Sequence, residues 1–170
     1  MKLSIYLDAC CLNRPFDDQS QTRNHLEAEA VLATVFETAR QGWEWLGSEV
    51  LDLEISKTPD RDRRVRVNLL KLGVTRRIPM EEAVVKRGQE LETLGFKSYD
   101  ALHVASAELG GADVMLTTDD KLLRAAERSV NHLKITIKNP LQWIQETLDD
   151  RHTDADAGPD PTTRNASSGS

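Results

Sequence analysis

The chain has 170 residues, which is enough for one compact domain with its own core but too few for two comfortable domains. With 39% hydrophobic residues and a formal net charge of −6, the composition is that of a soluble globular protein whose surface as a whole does not indicate nucleic-acid binding. The adjacent Cys10 and Cys11 form no disulfide framework, and no apolar run approaches membrane-spanning length, so we expect a cytoplasmic protein without a membrane partner.

Hydrophobic patterning predicts strands that alternate with helices along the first half of the chain. Apolar runs bounded by turn residues predict strands, and apolar residues at helical spacing predict helices. In chain order, the predicted elements are a strand at 3–8, a polar turn at 13–18, a helix at 24–40, a strand at 43–47, a helix from 48 that Pro59 breaks, an arginine-rich helix to 72, and a strand at 75–78.

The same alternation continues in the second half. The predicted elements are helices at 80–94 and 98–109, a strand at 114–118, a helix at 121–128, a strand at 134–137 and a helix at 140–148. This order predicts a single α/β/α sandwich around a mostly parallel sheet, with residues 1–148 as one domain. Residues 149–170 contain no large apolar side chain, and we expect them to form a flexible polar tail.

Four acidic residues stand at or near the ends of these elements. Asp8 and Asp119 end apolar strands, Asp100 lies in the first turn of a helix, and Glu54 lies about two turns into the helix after the second strand. Ligands of open α/β sheets gather at the carboxyl ends of the strands, so we expect these carboxylates to share one crevice. Clustered carboxylates repel one another unless a cation lies between them, and their oxygens suit magnesium or manganese. The pattern therefore predicts a divalent-metal site.

The segments around these acids resemble a known family. Residues 5–8, 48–54, 99–107 and 116–119 are similar, in this order, to PIN-domain nucleases of the small prokaryotic kind that includes the VapC-like toxins of toxin–antitoxin pairs. The resemblance extends over roughly residues 3–148. It implies a Rossmann-like fold and a Mg²⁺- or Mn²⁺-dependent endoribonuclease. The catalytic positions that it implies are Asp8, Glu54, Asp100, Asp119 and Thr117, the four acids among them being the metal ligands.

The resemblance also carries expectations about partners and chemistry. Small members of the family commonly dimerise, and a toxin would bind an antitoxin protein. The expected reaction is hydrolysis of an RNA phosphodiester bond at the four carboxylates with one or two cations, which leaves a 5′-phosphate and a 3′-hydroxyl. The chain departs from the family after the first acid, where Ala9 and Cys10 replace small polar residues. A catalytically weak or inactive PIN-like module that binds RNA or protein therefore stays open as the alternative.

Basic residues concentrate in one stretch of the sequence. Two interpretations are open for it: an ordinary solvated helix face, or a positive patch that attracts the RNA backbone. In the second interpretation the RNA-binding residues are Arg61, Arg63, Arg64 and Arg66.

Neighbours of the predicted ligands also have two interpretations. His103 lies one helical turn after Asp100 and could face the same crevice, but we interpret it as a packed residue of an apolar helix. Thr117 could orient a water or simply fill a strand end. We assign Asp119 to the metal site, since it is nearer the strand, and Asp120 to the cap of the following helix.

Overall fold

The computed structural model describes residues 2–156 of the chain. Its strands are β1 (Ser4–Leu7), β2 (Glu44–Ser48), β3 (Arg76–Ile78), β4 (Val114–Leu116) and β5 (Thr136–Lys138). Its helices are α1 (Ala9–Asn13), α2 (Thr22–Gln41), α3 (Glu49–Ser56), α4 (Arg61–Leu70), α5 (Glu82–Thr93), α6 (Ser98–Leu109), α7 (Asp120–Arg128) and α8 (Pro140–Asp156). Short 3₁₀ turns follow α1, α4 and α7.

The five strands form one parallel sheet in the order β3-β2-β1-β4-β5. Ile5 of β1 lies opposite Trp45 of β2 on one side and Val114 of β4 on the other. The chain moves outward from β1 to β3 on one side and from β4 to β5 on the other. A crevice therefore opens at the carboxyl ends of β1 and β4, where such sheets bind ligands. The predicted α/β/α sandwich with a mostly parallel sheet is confirmed.

Alternate residues of β1 enter two separate hydrophobic cores. Ile5 and Leu7 pack with buried residues of α1, α2, α4 and α8, whereas Tyr6 packs with those of α5, α6 and α7. Both faces of the sheet are covered by helices, and this is why the strand reads as an unbroken apolar run rather than an alternating one. The side chain of Asp8, directly after β1, is the first that can leave this double core.

Two local predictions need correction. Helix α1 is absent from the predicted elements because its five residues are too few to show a helical period; the Asp8 side chain, which accepts the Ala9 N–H, begins it. The sequence also predicts that the last helix ends at residue 148, whereas α8 continues to Asp156. Arg151 of the extension donates to Glu37 Oε2 at 3.0 Å and lies 4.9 Å above the Trp43 ring.

These contacts explain why residues 149–156, expected in the flexible tail, are helical. The rest of the predicted tail, residues 157–170, lies outside the described residues. Between residues 2 and 156, no helix combines the length and apolar character that a bilayer span requires.

Candidate active site

Asp8 lies at the centre of the crevice, and its side chain is almost fully buried, with Asp8 only 5% exposed. Its backbone N–H donates to Leu116 O of β4 at 3.0 Å, which fixes the ends of the two central strands beside each other. One carboxylate oxygen accepts the Ala9 N–H at 2.8 Å, and the other accepts the Thr117 hydroxyl at 2.9 Å. The end of β4 thus orients the carboxylate at the end of β1.

Cys10 provides a further polar contact at this point. Its thiol donates to Asp8 Oδ2 at 3.3 Å and lies 3.2 Å from Thr117 Oγ1, and it accepts the Thr118 N–H at 3.3 Å. The thiol is a weak hydrogen-bonding group, but it stands where the sequence departs from the polar residues of the family. Cys10 therefore contributes to the crevice, whereas Cys11 is buried in the core.

Glu54 and His103 meet Asp8 from α3 and α6. His103 Nε2 lies 2.6 Å from Glu54 Oε2 and 3.7 Å from Asp8 Oδ1. Ligand atoms of the three residues lie within 4.8 Å of one another. The structure therefore brings two of the predicted acids together and adds a histidine that we interpreted from sequence as a packed residue.

His103 is the end of a buried chain of polar groups. The residue is 1% exposed, and its Nδ1 lies 2.6 Å from the Tyr6 hydroxyl, which lies 2.7 Å from Ser48 Oγ. Ser48 Oγ accepts the Leu51 N–H and caps α3, the helix that carries Glu54. In the sequence, His103 stands out only as the single titratable residue of the small and apolar stretch 101–107. Which groups surround it becomes apparent only in the fold.

Burial and neighbouring negative charges together shift the pKa values of Asp100 and His103. Burial raises the pKa of the Asp100 carboxyl to about 6, and the charges of Asp8 and Asp119 add to the effect. Burial opposes protonation of His103, but the hydrogen bond to Glu54 and the charge of Asp8 outweigh it, and the pKa of His103 is raised above its ordinary value. Both shifts favour an additional positive charge in the crevice.

The two carboxylate oxygens of Asp119 have different environments. Its Oδ1 accepts the N–H groups of Lys121 at 2.9 Å and Leu122 at 3.4 Å, so Asp119 is the cap of α7. The prediction that Asp120 caps this helix is wrong; Asp120 lies in the first turn and pairs with Arg23 at 2.8 Å. Among the residues that the structure describes, Asp119 Oδ2 has no hydrogen-bond partner, and it stays available to a ligand.

The donor set fits a hard divalent cation. Asp8 and Glu54 supply close carboxylate oxygens beside His103. Burial first, and then the charges of Asp8 and Asp119, raise the pKa of Asp100. Oxygen-rich groups of this kind are the ligands of Mg²⁺ and Mn²⁺. A cation among them would offset the repulsion that the crevice otherwise retains.

The four arginines predicted to contact RNA all lie on α4 but in different environments. Arg63 is partly buried and donates to Asp17 Oδ1 at 2.8 Å, and Arg64 donates to Thr58 O at 2.7 Å. Arg61 and Arg66 are exposed. Two of the four side chains therefore hold α4 against neighbouring segments, and the other two remain on the surface.

Comparison with known proteins identifies the class of this fold and site. The family model of the PIN domain matches residues 5–128, and the chain belongs to the PIN domain family, whose members are generally metal-dependent nucleases. Among curated proteins, none matches this chain.

Two solved structures are similar to this chain, and the first of them shares its fold. VapBC2 from Rickettsia felis, bound to a DNA fragment from its promoter, superposes with a TM-score of 0.56 at 13% identity, over 81% of this chain and 98% of that chain. PAE2754 from Pyrobaculum aerophilum superposes with a TM-score of 0.48 at 18% identity, over 91% of this chain and 99% of that chain.

The raised pKa of Asp100 generates a prediction about stability. An acid whose pKa is higher in the folded protein than in the unfolded chain destabilises the fold as pH rises from about 4 to 6. The full shift corresponds to roughly 3 kcal/mol, which solvent screening at this partly exposed group reduces to about 1 kcal/mol. We expect Asp100→Asn to raise the melting temperature in EDTA by ~2–4 °C near neutral pH. The difference should disappear near pH 4, where the Asp100 carboxyl is protonated in the folded protein. Equal melting temperatures at neutral pH would contradict the cost of a buried Asp100 charge.

Proposed function

We propose that the chain is a cytoplasmic, divalent-metal-dependent endoribonuclease that hydrolyses RNA phosphodiester bonds in the crevice between β1 and β4. The observation that carries this proposal is the meeting of the buried Asp8 with Glu54 and His103 from separate elements. Asp100 and Asp119 lie outside this close group, but the charges of Asp8 and Asp119 add to the effect of burial on the pKa of Asp100. The alternative is a PIN-like module that binds RNA or protein without cleavage. The charge of Asp100 favours the enzyme, since a module without a cation would gain stability by losing this carboxylate.

In this proposal the predicted residues have two tasks. Asp8, Glu54, Asp100 and Asp119 would hold one or two Mg²⁺ or Mn²⁺ ions. A bound cation would supply Lewis-acid activation of water and of the scissile phosphate. Thr117 donates to Asp8 Oδ2 and accepts the Asp119 N–H at 3.1 Å, so one hydroxyl fixes the geometry of two of the acids.

Cleavage of labelled single-stranded RNA tests the proposal. We expect wild-type protein to cut the RNA in Mg²⁺ or Mn²⁺ but not in EDTA, and Asp100→Asn to reduce the rate by about a hundredfold or more, since it removes a cation ligand. Glu92→Gln on α5, which removes an equal charge from an exposed position, is the matched control. Cleavage that persists in EDTA, or that Asp100→Asn leaves at the wild-type rate, would refute the metal site.

We propose that His103 is a positioning residue that acts through Glu54. In a neutral ring with its proton on Nε2, that nitrogen donates to Glu54 while Nδ1 accepts from the Tyr6 hydroxyl. In the imidazolium both nitrogens donate. The Nε2 proton therefore faces Glu54 in either charge state, and the buried Tyr6 and Ser48 behind it keep the ring in place.

Metal affinity distinguishes positioning from simple packing. His103→Leu removes the donor and should weaken Mn²⁺ binding, followed by electron paramagnetic resonance, by roughly tenfold. His103→Gln retains an N–H near the position of Nε2 and should recover part of the affinity. In a Glu54→Gln background, His103→Leu should cause little further loss because the two residues act together. Fully additive losses would instead assign His103 a role independent of Glu54.

We also propose that α4 is the docking face for a protein partner of the antitoxin kind. Val65, Leu69 and Leu72 share one helical face and its continuation, and they are 49%, 61% and 78% exposed. Arg61 and Arg66 flank them. An acidic amphipathic helix fits this combination, whereas a second copy would bring the same positive charges together. The Rickettsia felis relative, solved as VapBC2, motivates the search for such a partner.

Growth and co-purification test this docking face. We expect expression of the wild type, but not of Asp100→Asn, to arrest a bacterial host, and co-expression of the small protein encoded beside it to relieve the arrest. Leu69→Glu should weaken the complex by about tenfold or more because it places an acid in the apolar stripe. Glu92→Lys on α5 is the surface control. If Leu69→Glu instead dissociates a homodimer in light scattering, the face belongs to a second copy, as the family resemblance also allows.

A further inference from the structure

We infer that Lys97, Lys121 and Arg124 form a binding site for the phosphate backbone of the nucleic-acid strand. This inference rests on the proposed nuclease function and adds the path of the substrate beside the acids. None of the three residues belongs to the arginine stretch that the sequence singles out. They become neighbours only through the fold, since Lys97 precedes α6 and the other two lie on α7.

Two open cavities meet at these three cations. One, of about 260 Å³, is lined by all three together with Asp100. The other, of about 610 Å³, is lined by the same three together with Asp119. The cations therefore stand beside both of these predicted metal ligands, on a route by which a strand can bring its phosphate to the crevice.

The charges of this group are only weakly engaged within the protein: after the paired Arg23, the charge of Arg124 also lowers the pKa of Asp120, but Arg124 forms no ion pair with it. Lys97, Lys121 and Arg124 are exposed, and none of them forms an ion pair with a residue between 2 and 156. Arg14 and Arg23, which line the second cavity, are instead paired with Glu27 and other acids. The second cavity is thus lined both by arginines that are paired with acids and by cations that can contact a ligand.

Helix α7 presents its share of these charges from a rigid position. Leu122 and Ala125 are buried and hold the helix to the sheet, while Lys121 and Arg124 lie three residues apart on its exposed side. Arg128 extends the row by one turn and lines the first cavity. The row spans about 10 Å along the helix, which suits an extended anion better than a single carboxylate.

The composition of the two cavities favours a phosphate chain over a protein partner. The exposed side chains of the cation row are charged, whereas α4 and the 3₁₀ turn after it expose the aliphatic residues Val65, Leu69 and Leu72. Protein docking faces contain an apolar centre, and backbone contacts to nucleic acid are made by cations. Asp100 and Asp119 repel a phosphate on their own, and the three cations offset that repulsion on the side from which the strand arrives.

The salt dependence of RNA binding tests the site directly. The probe is a fluorescein-labelled oligouridylate, and its anisotropy is measured in Mg²⁺ with the Asp100→Asn protein so that the strand stays intact. The slope of log K against log salt is negative, and each lost phosphate contact on a single strand reduces its magnitude by about 0.7, so Lys121→Gln with Arg124→Gln should reduce the magnitude by ~1.4. Matched double variants are Arg61→Gln with Arg66→Gln on α4 and Lys86→Gln with Lys134→Gln, two exposed lysines away from both cavities.

The outcomes separate this inference from the proposed function. The site is supported if the salt dependence becomes less steep in the Lys121/Arg124 variant and not in the Lys86/Lys134 variant. The Arg61/Arg66 variant shows whether the strand continues to α4. An unchanged slope, an equal reduction in the Lys86/Lys134 variant, or no binding by any protein overturns the inference. Metal-dependent cleavage by the wild type with an unchanged slope refutes the phosphate site alone. A less steep salt dependence in the Lys121/Arg124 variant, without any cleavage by the wild type, refutes the nuclease and leaves a strand-binding site.

Discussion

Mutual repulsion among carboxylates at one end of a parallel sheet is the constraint on which the site depends. Asp8 is buried, and three groups donate to it: a backbone N–H, the Thr117 hydroxyl and the Cys10 thiol. Even so, burial and, after it, the charges of Asp8 and Asp119 raise the pKa of Asp100 to about 6. A fold selected only for stability would not retain this arrangement. The crevice is therefore a place where the protein retains an unfavourable charge distribution that a cation can relieve.

The sequence predicts those parts of the site that follow from the order of the strands. Acids at the ends of β1 and β4 must come close once the two strands are neighbours, because parallel strands end at the same edge. The contacts of His103 could not be predicted, since its partners Tyr6 and Glu54 are distant in sequence and meet only when both faces of the sheet are packed. The choice between Asp119 and Asp120 as helix cap depends on one residue of helix boundary, which sequence patterns do not resolve.

The arginine stretch on α4 and the row of cations on α7 differ in how many of their charges are paired within the protein. The arginine stretch is conspicuous in sequence because its members are close together, yet Arg63 and Arg64 donate hydrogen bonds to other residues of the protein. The row on α7 is inconspicuous because its residues are separated, yet none of its side chains forms an ion pair within the part of the chain that the structure describes. Consecutive charges on a helix point in different directions, whereas residues three and four apart share a face. Spacing along the helix, rather than local density, therefore decides which cations can act together in a protein whose net charge is −6.

The position of β1 in the middle of the sheet has a consequence for synthesis of the chain. The strand made first pairs with β2 and also with β4, so its second neighbour is supplied only near residue 114. Asp8 emerges from the ribosome early, but Thr117 and Asp119, which complete its surroundings, emerge much later. A nascent chain thus carries separate acids on an open sheet edge and no assembled crevice. Translation itself therefore delays assembly of the crevice until most of the protein has been made, because the segment that completes the surroundings of Asp8 is among the later ones to be synthesised.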